Sequence, residues 1–336
     1  MAVKLLETNH LKLKYLSTLF ALFPLFLSGC YLVKQGQGQL KLHFDQVPLE
    51  RAIVEEEKRD FQQLLQSIPN IKKFAIEAVG LKKNDNYTGY FETTGKGITY
   101  VVTAANRTTL SQYTWWFPIV GSVPYKGFFD LEDAKSLLEE LEQSGYDTWL
   151  FAAPAYSTLG WFQDPVTTPM LRRGSFSLTE SIIHEMVHAT LYVEGKGDFN
   201  EQLATFVGVT AAFQYFNDTQ QLSPQELQKV TEKKERRRQF SRVVQSYIPE
   251  LERLYATPSP ENEKLELRKK IFSQLAAELK ASFPKFPNKD LVFNNARILQ
   301  YQRYKEESPI FKNFWEKSEK RWPQFWEQVN KYAENL

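Results

Sequence analysis

Two histidines four residues apart, with a glutamate directly after the first, lie in Ser181-Ile182-Ile183-His184-Glu185-Met186-Val187-His188. No other run constrains the chain as strongly. On a helix this spacing puts both imidazoles on one face, one turn apart, where they can share a tetrahedral zinc ion at about 2.0–2.1 Å. Glu185 falls about 100° round the axis from His184, close to the ion's open side, where a general base for a metal-activated water belongs. The segment must therefore be helical and must face a cleft. Ser177 to Glu180 (SLTE) reads as the capping box that starts the helix, and Gly195 or Gly197 as its end. Ile183, Met186 and Val187 are assigned to packing.

A catalytic zinc needs a third protein ligand and an open fourth position. His43 lies far upstream, so the ligand is sought among acids. Glu201 stands three residues beyond Asp198, a plausible cap for a second, antiparallel helix that would bring its carboxylate back to the height of the metal. Glu194 competes but falls at the turn. Amide hydrolysis at such a centre also needs a donor for the tetrahedral oxyanion. With histidine excluded, a tyrosine is expected: Tyr304 first, with Tyr301 and Tyr192 behind it.

The N-terminus reads as a sorting signal, residues 1–29. Lys4, Lys12 and Lys14 precede an apolar run, Tyr15 to Leu27, of secretory-signal length and too short to span a bilayer. The run ends in Leu27-Ser28-Gly29-Cys30, which resembles a bacterial lipobox, and Cys30 is the single cysteine of the chain. Acylation of Cys30 would hold the protein at a membrane, each buried methylene contributing about 0.8 kcal/mol. Tyr31 after the cysteine matches the sorting pattern for the outer membrane, facing the periplasm. Residues 30–40 are expected to be a polar tether, at most about 35 Å long. Loss of residues 1–29 takes three lysines and Glu7 with it, leaving basic and acidic side chains balanced at 39 each. Nothing in that balance supports a nucleic-acid partner.

The remainder, residues 41–336, is expected to form one domain of α+β class, mainly helical. Residues 41–175 would be an α/β lobe and 176–336 a helical lobe. Apolar spacing from Val47 to Leu81 predicts two helices broken at Pro69-Asn70. Gly97–Ala104 and Thr148–Ala153 read as strands, with an amphipathic helix, Leu131 to Gln143, between them. The charged stretch Glu226 to Arg242 reads as a solvated helix face.

Taken together, these segments resemble the putative aminopeptidase family of bacterial lipoproteins. The resemblance runs through residues 74–81 (FAIEAVGL), 84–87 (NDNY), 116–121 (WFPIVG), 125–129 (YKGFF), 155–162 (AYSTLGWF), Asp164-Pro165, the histidine helix, 199–201 (FNE) and 294–296 (NNA). It implies a zincin-like metallopeptidase of gluzincin type, with a small mixed sheet beside the histidine helix. His184, His188 and Glu201 would be the zinc ligands and Glu185 the base. It further implies that Tyr156 to Phe162, with Tyr156, Gly160 and Trp161, forms an edge strand pairing with a peptide substrate. Asp164 is the acid nominated for the substrate's ammonium. Relatives often carry an acid shortly after the Asn-Glu pair, whereas this chain has Thr205 and Gly208 there. A zinc endopeptidase and a catalytically silent zinc scaffold are the competing readings, and the intact Glu185 speaks against the second.

Overall fold

β-branched residues from Thr99 onward build the largest sheet, and from Ser175 the chain is helical almost to its end. The computed structural model describes residues 31, 33–117, 121–153, 163–303 and 308–336. It divides into two units, Met1–Asp45 and Gln46–Leu336. In the first, residues 33–44 form a helix, α1, which takes in most of the stretch read as a polar tether. Its Leu, Lys and Gln residues favour helix strongly enough to carry Gly36 and Gly38, which cost about 1 kcal/mol each.

The second unit opens with β1 (Val47–Pro48), α2 (Leu49–Glu55) and α3 (Arg59–Glu77). Two helices were expected here, but the break falls at residues 56–58 and α3 runs straight through Pro69. An interior proline costs about 3 kcal/mol. Leu65 and Ile68 before it and Ile71 and Ala75 after it are all buried on one face, and that burial outweighs the loss. There follow β2 (Gly89–Phe91), β3 (Thr99–Asn106), β4 (Trp115–Phe117), β5 (Gly121–Val123), β6 (Lys126–Phe128), α4 (Leu131–Gln143), β7 (Tyr146–Ala153), β8 (Val166–Thr167) and α5 (Thr168–Leu171). In place of one mixed sheet there are three small ones. The first, β1-β2-β8, is mixed, with β2 and β8 parallel; β6-β3-β7 is antiparallel; β4 and β5 form a two-stranded ribbon. α4, capped by Asp130 accepting from the amides of Glu132 and Asp133, packs on β3 and β7.

The helical part comprises α6 (Ser175–Thr190), α7 (Gly197–Thr219), α8 (Pro224–Ser246), α9 (Ile248–Ala256), α10 (Glu261–Ser282), α11 (Asn295–Arg303), α12 (Pro309–Lys317) and α13 (Trp322–Ala333). α6 is the central element. Phe176, Leu178, Ile182, Ile183, Met186 and Val187 bury most of its circumference. They pack in one core with Ile68 and Ile71 of α3, Leu203, Ala204 and Val207 of α7, and Phe311 and Phe325 of α12 and α13. A second core joins α8–α11 through Phe240, Val244, Leu251, Leu275 and Ile298. In the middle of α6 the strip carrying Ser181, His184 and Glu185 remains partly open.

Candidate metal centre

α6 starts two residues before the expected cap. Gly174, in the left-handed region at φ +84°, turns the chain into Ser175, and no side chain caps the helix. Glu180 is instead drawn sideways: Lys234 of α8 donates to it at 2.6 Å, and both side chains are largely buried. The helix also ends early, at Thr190, because Leu191 turns extended. α7 begins at Gly197, so Asp198 lies inside its first turn and does not cap it. The connection is held by Asn200, whose amide donates to the Val193 carbonyl at 2.8 Å while its oxygen accepts from the Val193 amide at 2.9 Å. Asn200 is 1% exposed, a structural anchor inside the Phe-Asn-Glu run that sequence reading credited only to Glu201.

α7 then returns along α6 at very short range. A Cβ placed on Gly208 would lie 3.0 Å from the Glu180 carbonyl oxygen and 3.3 Å from His184 Cβ. This contact explains why no acid stands at that position: the helices are too close for a side chain. Gly208→Ala should therefore lower stability by about 1–2 kcal/mol, the strain of overpacking outweighing alanine's helix preference of about 1 kcal/mol. Thermal unfolding would read the loss, and an unchanged or raised midpoint would refute it.

The packing brings three donors together. His184 and His188 face each other with Nε2 atoms 3.2 Å apart. Glu201 reaches both, one oxygen 3.5 Å from His184 Nε2 and the other 3.7 Å from His188 Nε2. The three groups can hold a metal ion, each offering one ligand atom within 4.8 Å of the others. A tetrahedral ion with bonds of about 2.0–2.2 Å separates its donors by about 3.3–3.5 Å, close to the spacings found. Two imidazole nitrogens and a carboxylate oxygen suit a borderline cation better than a hard one.

Electrostatics match that geometry. Burial lowers the His184 pKa, but the bond to Glu201 and the charge of Glu185 reverse it, and the net shift is upward. For His188 burial prevails and the shift is downward. Burial raises the Glu201 carboxyl, yet His188 and His184 pull it below its usual range. Among the described residues His188 Nδ1 is buried without a partner, so none of their carboxylates orients this imidazole from behind.

The remaining candidates divide. Tyr192 is half-buried with its ring 6.4 Å from that of His188. Tyr301 packs in the second core against Phe240 and Phe293. Glu194 is exposed at the turn and is not part of the donor cluster. Asp164 is 2% exposed and accepts from the Asn86 amide at 3.3 Å, tying the β2 and β8 loops together. Tyr156, Gly160, Trp161, Tyr304 and Cys30 lie outside the described residues.

Sequence reading missed two tyrosines. Tyr125, just before β6, is half-buried; burial and the charge of Glu201 hold its phenol well above the ordinary value, with Glu185 adding to the shift and Arg303 opposing it. Tyr87 takes an unusual left-handed conformation, φ +63°, and buries a hydroxyl without a partner among the described residues. Burial first, then Glu185 and Asp164, raise its pKa. Both lie in quoted runs, YKGFF and NDNY, but nothing local marks them as neighbours of the centre.

Neither a curated protein nor a solved structure matches the chain. A family model described as "Putative aminopeptidase" matches residues 30–335. With nearly the whole chain from Cys30 onward covered, the protein belongs to that putative aminopeptidase family.

Proposed function

We propose that the chain is a lipid-anchored, zinc-dependent aminopeptidase of zincin-like fold that acts on peptides at the periplasmic face of the outer membrane. The observation that carries the enzymatic part is the convergence of His184 and His188 of α6 with Glu201 of α7, Glu185 standing beside His184 on α6. Membership of an aminopeptidase family supports peptide-bond hydrolysis. The lipobox-like Leu27-Ser28-Gly29-Cys30 supports the anchor.

Zinc bound there would supply Lewis acidity, polarising the scissile carbonyl and acidifying a water. Glu185 takes the proton of the attacking water and returns it to the leaving amine. Its partly open place on α6 lets substrate reach it. Tyr125, whose phenol feels both Glu185 and Glu201, donates to the developing oxyanion. Burial keeps that phenol protonated, as a donor must be. Asp164 already has a carboxylate oxygen engaged by the Asn86 amide. Glu194 serves better: it is exposed at the α6–α7 turn, and Gly121 faces its side chain without a Cβ of its own.

Cleavage of short peptides by the zinc-loaded protein, followed chromatographically, tests this reading. Free peptides should be cut from the N-terminus, and N-acetylation should lower kcat/KM by at least about tenfold through loss of the ammonium contact. Equal cleavage of both forms would make the enzyme an endopeptidase. Absence of cleavage in every peptide would overturn the reading.

A further inference from the structure

The buried end of α11 points to a second recognition site. We infer that Arg303 binds the free carboxylate of a short peptide, an inference that rests on the peptidase reading above. Its side chain is 1% exposed. Nε donates to Asp198 Oδ1 at 3.1 Å, and Nη2 donates to the Gln112 amide oxygen. Nη1 is enclosed and has no hydrogen-bond partner among the described residues. An unmade bond on a buried cation costs more than one on a neutral group. Pinning α11 to α7 and to the segment after β3 accounts for Nε and Nη2, but leaves Nη1 unexplained.

The charge on the guanidinium is also poorly compensated. Asp198 is its one acidic partner among the described residues, and that carboxylate is 68% exposed, so water screens it. Gln112 is neutral. The Nη1–Nη2 edge, whose fork fits a carboxylate with two parallel bonds, is thus held by a single amide oxygen. A carboxylate can displace that oxygen from Nη2 and take Nη1 as well.

Position ties this edge to the metal centre. Asp198 precedes Glu201 by three residues on α7, so their side chains share a face about 5–6 Å apart. The guanidinium bonded to Asp198 therefore lies beside the carboxylate of the donor cluster, and its field reaches Glu201 and Tyr125. A divalent cation would consume the charge of Glu201, leaving this side of the centre positive. That sign attracts a substrate's carboxylate and repels its ammonium. With Glu194 facing the amino end, a peptide would be held at both termini, which favours substrates a few residues long.

Binding can be read without turnover. Zinc-loaded protein carrying Glu185→Gln is titrated calorimetrically with trialanine and with its C-terminal amide. The acid should bind at least about 30-fold more tightly. Adding Arg303→Met should remove that preference by weakening the acid alone, with the unfolding midpoint measured alongside. Equal binding of acid and amide would overturn the inference, and this comparison needs no Arg303 variant to fold. Equal weakening of both peptides by Arg303→Met would overturn it too, as general damage to the site. If the wild-type protein cuts no peptide yet prefers the acid, the peptidase reading fails while the carboxylate site stands.

Discussion

Glu185→Gln should lower kcat by about 10²–10⁴-fold while the protein keeps one zinc per chain. The substitution preserves shape and removes only the ability to take a proton. Glu185 is not among the three clustered donors, so metal content should not change. Its neighbours on α6 are buried apolar residues, Ile183, Met186 and Val187, so the helix has no reason to move. KM should change far less than kcat, because Glu185 acts on the water and on the leaving amine and not on the bound peptide's ends. Metal analysis beside steady-state kinetics decides it. Unchanged turnover would remove Glu185 from the mechanism, and loss of zinc would make it a ligand.

How much of this was legible in the sequence depends on how local each cause is. The histidine helix was legible because its spacing is an intrahelical property, and Glu201 followed once an antiparallel return was assumed. α4 matched from Leu131 to Gln143, since amphipathic period and the Ser144-Gly145 stop act within a few residues. The ends of α6 were misjudged for a different reason. Glu180 looked like the closing member of a capping box, yet Lys234, 54 positions away, holds its carboxylate. Continuation of α3 through Pro69 is likewise decided by what its buried face meets and not by propensity. Tyr125, Tyr87 and Arg303, which couple electrostatically to Glu185 or Glu201, belong to other elements, so no window of sequence could have joined them. Gly208 looked like a missing acid, and only the closeness of α6, whose Glu180 carbonyl oxygen would lie 3.0 Å from a Cβ placed there, shows what it is for.

Glu201→Ala should weaken zinc binding by at least about 100-fold, since a direct ligand is lost where outer partners alone are worth 10–100-fold. Its second effect is on pH. In the metal-free protein His184 has a raised pKa, so its stabilising contribution is complete below the unfolded value of about 6.5 and fades as pH rises through the folded one. His188 is shifted the other way and favours the fold less as pH falls below about 6.5. Glu201, lowered, contributes above its unfolded value of about 4.3 and loses that contribution as pH falls through the folded one. Within the cluster the two histidines therefore oppose each other, His184 favouring the fold toward lower pH and His188 toward higher pH. Zinc must displace the proton that Glu201 helps His184 to keep, so affinity should rise with pH through the raised His184 pKa. Without Glu201 that pKa falls, and the rise should move to lower pH even as affinity drops overall. Zinc titrations of both proteins between pH 5 and 8 would show the two effects separately. A drop in affinity with no change in the pH profile would mean that Glu201 binds metal but does not set the protonation of His184.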